Sequence, residues 1–423
     1  MTRSFRSTAP FFALLDWSQI PERDESRPWP GQVPHPEKAY VQALLIKKWQ
    51  NFDYITELRR YLVQHPLLVL EIGFRPELDS SQPYGFDVAA TVPCARWLRH
   101  KQREMDNDML QTLFRETVHQ LQGEIPELGQ TVVIDTKHIY AWVRENNPRE
   151  FISDRYNPEK QPTGDPDCRL GVKRSSNQEE GDVPPAKVDK EYLWGYGTGL
   201  LAATHPEYGD VVLAEYTQPF NEADSTYFAP LYEQVVDTLG FRPKQFAGDA
   251  AFDAWHIYQP FAEVGGMAAV PLNLRGHPAP KLGSNGHRLC AQGLEMTPYS
   301  EFDNLTKGYR AQVLRCPRLF STATTGICHH KQFVKGGCVK QVNIEAGGQM
   351  RVQLDRESDE YKQLYKQRTA SERINSQAKA LGIERPKVRN GSSVVNLNTL
   401  TYIVINARAL QRVRHINARA RAP

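Results

Sequence analysis

Nowhere in its 423 residues does this chain carry a run of eighteen apolar side chains. A helix needs about 20 predominantly apolar residues to cross a bilayer, so no transmembrane helix is expected. The amino-terminal stretch MTRSFRSTAPFFALLDW has only a short apolar patch, cut by Pro10 and Asp16, and makes a poor secretory signal. A reducing, cytoplasmic location is the expectation. Cysteine is scarce, six in all, with no C-x-x-C pair. In a reducing compartment these thiols are expected free or metal-bound, not as disulfides. Net charge is almost absent, at +3. Tryptophan is missing from residues 274–358.

A hydrophobic fraction of 40% with 24% charged residues describes a globular protein with a sizeable core. The length suits two or three domains, or one large domain with insertions. The small net charge is unevenly spread. From Tyr361 to Pro423 there are 13 Lys or Arg against 2 Glu, a balance of +11, which leaves −8 for the first 360 residues. A basic end on a nearly neutral chain points to a polyanionic partner, nucleic acid first. The last dozen residues, RVRHINARARAP, fit a solvated basic tail equally well.

Residues 1–130 read as a helical domain. Tyr40, Leu44, Leu45, Trp49, Ile55, Leu58 and Leu62 recur at helical spacing, and CARWLRHKQREMDNDMLQTLFRETVHQLQ continues the pattern. Lys47, Lys48, Arg59, Arg60, Arg99 and Arg103 give this region a basic surface, a solvated face or a DNA-contacting one. The pattern then changes. GQTVVIDTKHIYAWV alternates and is rich in β-branched residues, so it reads as a strand with Asp135 inside it. A carboxylate midway along an apolar strand is costly unless a cation, a metal or hydrogen bonds compensate it. His138, three residues on, falls on the other strand face and reads as structural or DNA-facing.

The polar stretch from Arg144 to Glu191 reads as a long loop. Two strands follow, YLWGYGTGLLAAT and GDVVLAEYTQP, then a helix over Asn221 to Leu239 stopped by Gly240. KQFAGD is a short strand that closes on Asp249, and a helix follows it with Asp253 as a candidate N-cap. MAAVPLN is a further strand. Residues 131–273 therefore run β-β-β-α-β-α-β, the element order of the ribonuclease-H-like fold. Residues 274–358, with short pieces such as YRAQVLRCP, VKQVNIEA and QMRVQLD, read as a β-rich insertion. Residues 359–423 return to the core. The expected class is α/β: a ribonuclease-H-like mixed sheet with flanking helices, a β-rich insertion before the last catalytic helix, and a helical amino-terminal domain.

YKQLYKQRTASERINSQAKA, from Tyr361 to Ala380, has no Gly or Pro and reads as one helix. Tyr365, Arg368, Glu372 and Lys379, at steps of three, four and seven, would share one face of it. A lone carboxylate among cations suits a site for metal and phosphate, although an Arg368–Glu372 surface ion pair explains the spacing too. With Asp135 and Asp249 it makes a set of three acids. Phosphodiester cleavage by two hard cations needs oxygen ligands of this kind.

The combination resembles the DDE transposases of bacterial insertion sequences, in the group with the YREK signature. VVIDTKHIYAW, FAGDAAFD and the helix bearing Tyr365, Arg368, Glu372 and Lys379 carry the resemblance, with DPDCRLGVK and YLWGYGTGL adding to it. It implies a DNA transposase that cleaves insertion-sequence ends and transfers strands into target DNA. Asp135, Asp249 and Glu372 would bind two Mg²⁺ or Mn²⁺ ions. Arg368 and Lys379 would contact phosphates near the scissile bond and Tyr365 a neighbouring one, with Arg373, Arg385, Lys387 and Arg389 as further DNA contacts. Its partners would be terminal inverted repeats and target DNA, bound by a homodimer or higher oligomer, cytoplasmic and nucleoid-associated, with no membrane. Some members place a Trp in the insertion to hold a flipped base, and its absence here puts a hairpin intermediate in doubt.

Four cysteines fall in the insertion, and Cys316, Cys328, His329 and Cys338 are candidate ligands for a structural zinc ion, against free thiols. Cys94 and Cys168 look incidental. Two alternatives stand beside the transposase: a ribonuclease-H-like nuclease without strand transfer, and a non-catalytic DNA-binding protein derived from a transposase.

Overall fold

Helices and strands follow the hydrophobic spacing in most of the chain. The computed structural model describes residues 9–24, 26–175, 189–274, 278–321 and 326–421. The longer elements begin with helices α1 (Glu37–Trp49), α2 (Ile55–Val63), α3 (Ala95–Glu104) and α4 (Asn107–Glu124). Strands β1 (Thr131–Tyr140), β2 (Arg169–Ser175), β3 (Asp189–His205) and β4 (Gly209–Pro219) follow. Next come α5 (Phe228–Leu239), β5 (Gln245–Ala247), α6 (Trp255–Glu263) and β6 (Met267–Ala269). Strands β7 (Thr297–Asn304), β8 (Tyr309–Arg315) and β9 (Val339–Asn343) precede α7 (Ala346–Gln353), α8 (Asp359–Lys366), α9 (Thr369–Ala380) and α10 (Gly391–Ala420). The fold is mixed α/β, with a mixed sheet and several helices.

Two compact units share the chain. The first comprises Met1–Gly129, Asp135–Gly240 and Thr369–Pro423; the second comprises Gln130–Ile134 and Phe241–Arg368. The amino-terminal helices, expected as a domain of their own over 1–130, belong to the same unit as β2–β4 and α10.

In the first unit β2 and β4 each form an antiparallel ladder with β3, Arg169↔Gly195 and Tyr196↔Pro219, and in the sheet order β3 lies between β2 and β1. Helix α10 packs along α4, α1 and α3 and across β4. It is buried on nearly every side, including Leu397, Leu400, Tyr402, Ile403 and Ile405. Each such side chain contributes about 1.5–3 kcal/mol on leaving water. Its buried Asn406 is tied to the sheet: the amide accepts from Val212 N at 3.0 Å and donates to Val212 O at 2.8 Å. Gly240, with φ +74°, ends α5 in the left-handed region as the sequence predicts.

In the second unit the start of β1 pairs with β5 in parallel, Thr131↔Gln245 to Val133↔Ala247, and β5 pairs with β6 in parallel. Helix α8 packs on β5 and β6. Strands β7, β8 and β9 make a separate antiparallel sheet, the β-rich part expected over 274–358.

Five expectations need correction. The stretch over 144–191 is not all loop, because Arg169–Ser175 alternates well enough to pair with β3; residues 176–188 lie outside the described residues. QMRVQLD is not a strand, because α7 covers most of it. Gly347 lets α7 lie directly on α6, where a Cβ would come within 2.5 Å of Gln259 N and Trp255 O. Lys47 and Lys48 are not surface residues but 3% and 5% exposed, because α1 is enclosed by other helices. Burial pushes their ammonium groups down, to about 8 and about 7. Asp253 does not cap the helix after β5, which starts at Trp255 with Ala254 in the capping position. Finally, Tyr361–Ala380 is two helices. Gln367 N bonds to Leu364 O (3.0 Å) and Arg368 N to Tyr365 O (3.1 Å), tightening the turn and ending α8 before α9 begins.

Candidate functional site

Apolar pairing fixes β1, and Asp135 sits half-buried within it. One carboxylate oxygen accepts from Thr136 N at 2.9 Å, and the other from Asn375 Nδ2 at 2.9 Å. Asn375 belongs to α9, three residues after Glu372. Positions three apart share a helix face, so the face carrying Glu372 is the one applied to Asp135. Lys379, seven residues after Glu372, lies two turns along the same face. Glu372 occupies the first turn of α9, where the helix dipole favours a negative charge.

Lys379 pairs with Glu384 at 3.4 Å, and Lys137 reaches the same carboxylate at 2.8 Å. Burial works to raise the Glu384 carboxyl, but Lys137 and Lys379 outweigh it and hold the group below its ordinary value. Lys137 is two residues from Asp135, on the same side of the strand. Between β1 and α9 there are thus two polar groups, Asp135 with Asn375 and Lys137 with Glu384 and Lys379. His138 points elsewhere. Its ring packs on Phe220 at 4.4 Å, and burial, with Lys173 and Lys137 adding, pushes it down to about 4.

Arg373 does not extend into solvent as a free DNA contact. It makes a bidentate pair with Asp210 of β4, at 2.7 and 2.6 Å, which fastens α9 to the sheet.

In the second unit Asp249 follows β5 and caps the 3₁₀ turn Ala250–Phe252, accepting from Ala251 N at 2.8 Å. The sequence DAAFD offers two acids, and the structure separates their tasks. Asp253 is fully committed: Arg351 holds it at 2.7 and 2.6 Å, Tyr258 OH donates at 2.9 Å and Asn273 N at 2.7 Å. Tyr365 stacks on Tyr361 with ring centroids 5.9 Å apart, and the Arg368 guanidinium lies 5.8 Å over the Tyr365 ring.

The first unit also carries a basic, aromatic surface. Arg385 lies 4.3 Å over Tyr140, and Arg389 5.2 Å over Trp142. Lys387 and Arg389 line a groove of ≈ 990 Å³ whose walls include Arg96, Trp97, Arg99, Arg103 and Trp142. Trp97 and Trp142 remain 46% and 40% exposed. Cations interleaved with exposed aromatics make a surface suited to a nucleic acid. Arg59, by contrast, spends its guanidinium on Ala89 O and Pro93 O.

Asn375, Lys137, Glu384 and the pair Trp97–Trp142 were not singled out from the sequence. Asn375 alone left a signal, as a short polar residue three positions after Glu372 on the same helix face.

All four insertion cysteines, Cys290, Cys316, Cys328 and Cys338, line one small cavity together with His330, not His329. All six cysteines are free thiols. Burial raises the Cys168 thiol to about 12, with Asp165 adding to it, so that residue is inert.

Among the described residues no group of three or more His, Cys, Asp or Glu is already drawn together for a metal ion. No helix there is long and apolar enough to cross a membrane. No protein-family model matches the chain, and no curated protein matches it.

Proposed function

We propose that the chain is a DNA transposase of the DDE type with a ribonuclease-H-like core. It would cleave the ends of a mobile DNA element and join them to target DNA. The observation that carries this reading is the Asn375–Asp135 hydrogen bond. It ties the helix that bears Glu372 to the strand that bears Asp135, which supports a common task for two acids 237 residues apart in sequence.

The donor set fits the implied metals. Asp135, Asp249 and Glu372 offer only carboxylate oxygens, which suit Mg²⁺ or Mn²⁺. Asp249 is the third acid of the set in this reading. Two such ions would lower the pKa of an attacking water and stabilise the charge that builds on the leaving oxygen. The chain's own residues do the rest. Asn375 and Thr136 N hold the Asp135 carboxylate in one orientation. Glu384, which also holds Lys137, positions Lys379. Lys379, Lys387, Arg385 and Arg389 supply cations for phosphates, and in this reading Arg368 and Tyr365 are phosphate contacts as well.

In cleavage a water oxygen bonds to phosphorus as the P–O3′ bond breaks, releasing a 3′-hydroxyl. In joining, that hydroxyl attacks a target phosphodiester and a target 3′-oxygen leaves. Two ends must be paired for this, which calls for a dimer or higher oligomer of the chain.

Joining distinguishes this reading from a simple nuclease. With pre-cut element ends, Mg²⁺ and a supercoiled target plasmid, the full-length protein should give covalent end–target products, and Asp135→Ala none. Cutting without any joined product would instead identify a ribonuclease-H-like nuclease.

A further inference from the structure

We propose that Cys290, Cys316, Cys328 and Cys338 form a four-thiolate zinc site that staples the insertion in the second unit. The four residues are far apart in sequence, yet they surround a single cavity of ≈ 10 Å³. That is about the space of one water-sized sphere, enough for an ion and too little for an organic ligand.

Each cysteine stands at a turn. Cys290 opens one, its carbonyl accepting from Gly293 N at 2.9 Å while its own N–H reaches Leu294 O at 2.8 Å. The Cys316 carbonyl accepts from Leu319 N at 3.2 Å at the start of a short helical turn. The Cys328 sulfur accepts from His330 N at 3.5 Å. Cys338 follows Gly336 and Gly337, with φ of +92° and +87°. A Cβ on Gly337 would lie 2.6 Å from the Cys316 Cβ, so only glycine lets the chain pass this close to Cys316 on its way to Cys338. Convergence of this kind is hard to explain for four thiols with no common task.

The surroundings lack another means of support. Ile327, Val334 and Leu305 are 77%, 87% and 91% exposed, and the buried apolar residues nearby are few, chiefly Met296, Ala311 and Leu314. A small module with so little core needs a disulfide or a metal. The thiols are free, and soft thiolate donors select zinc. His330 Nδ1 lies 3.4 Å from the Cys338 sulfur, placed to donate a ring N–H to it, as outer groups do around zinc ligands.

The four sulfurs do not yet stand in ligating geometry. Rotation of the side chains about Cα–Cβ remains, to bring each sulfur to about 2.3 Å from the ion. Binding exchanges the four thiol protons for one Zn²⁺ and leaves a net charge of −2, beside Arg318, which lines the same cavity.

The test is metal content, which does not depend on DNA cleavage and so leaves the transposase reading untouched whichever way it falls. Full-length protein purified without chelator should carry one zinc per chain, released by a mercurial reagent with four thiols. Replacement by Co²⁺ should give the thiolate charge-transfer and tetrahedral ligand-field bands of four sulfur ligands, a readout that needs no mutation. Cys316→Ser and Cys338→Ser should lose the metal, and Cys94→Ser should keep it. His330→Ala should keep one ion with roughly 10–100-fold weaker affinity. No zinc in the wild type, cobalt spectra without sulfur ligands, or full zinc content after replacing Cys290 and Cys338 together would overturn the proposal.

Discussion

The Asn375 side-chain amide donates to the Asp135 carboxylate at 2.9 Å, across 240 residues of chain. Asn375 is 7% exposed, so this bond has little competition from water. It orients one oxygen of Asp135 and at the same time fixes the rotation of α9, and with it the direction of Glu372.

Asn375→Ala should therefore lower metal-dependent DNA cleavage by roughly 10–100-fold, as loss of outer partners does elsewhere. Stability should fall by about 1–3 kcal/mol, the range for losing a buried hydrogen bond to a charged group. Raising the Mg²⁺ or Mn²⁺ concentration should restore part of the activity. A variant with full activity at low metal and an unchanged melting temperature would show that the bond positions nothing.

Arg373 and Arg389 should behave differently, although both belong to the basic end. Arg373 is tied to Asp210, so Arg373→Ala should destabilise the first unit and leave the salt dependence of DNA binding almost unchanged. Arg389 lies over Trp142 in the groove, and Arg389→Ala should weaken DNA binding and lower the slope of log K against log salt by about 1. Thermal melting and binding at several salt concentrations check both. The opposite pattern would remove Arg373 from the scaffold and Arg389 from the interface.

Glu215 gives a pH dependence with a definite sign. It is buried in β4, accepts from Thr399 Oγ1 at 2.6 Å and from Gln111, and burial pushes its carboxyl up to about 7. The folded state thus holds a proton that the unfolded chain releases near pH 4.5. This stabilisation is complete below about pH 4.5 and is lost as pH rises through about 7. The loss is on the order of 3 kcal/mol, from a shift of roughly two to three units. Glu215→Gln should remove that slope, so the variant gains on the wild type between those pH values. Parallel stability profiles would mean that Glu215 is ionised in the fold.

Much of this organisation was legible in the sequence. VVID marked a strand with an acid inside it, and Gly240 marked the end of α5. What escaped was decided by neighbours distant in sequence. Lys47 and Lys48 look like surface cations until α1 is enclosed. Nothing local marks Gly347 as the place where α7 lies directly on α6. The break at Gln367 and Arg368 has no Gly or Pro to announce it, because a pair of short-range bonds makes it. Of the site, the three acids were visible as a pattern. Asn375 and Glu384 were not, since only tertiary packing brings them to β1, and Lys137 reads as an ordinary strand cation until its pair with Glu384 is formed.

The central claim is that Asp135, Asp249 and Glu372 act as one set of metal ligands. The most direct measurement is Mg²⁺- or Mn²⁺-dependent cleavage of DNA that includes the sequences flanking the coding region, by wild type and by Asp135→Asn, Asp249→Asn and Glu372→Gln. Each variant should melt like the wild type, bind the DNA and fail to cut it. Cleavage at the wild-type rate by any one of the three would contradict the claim.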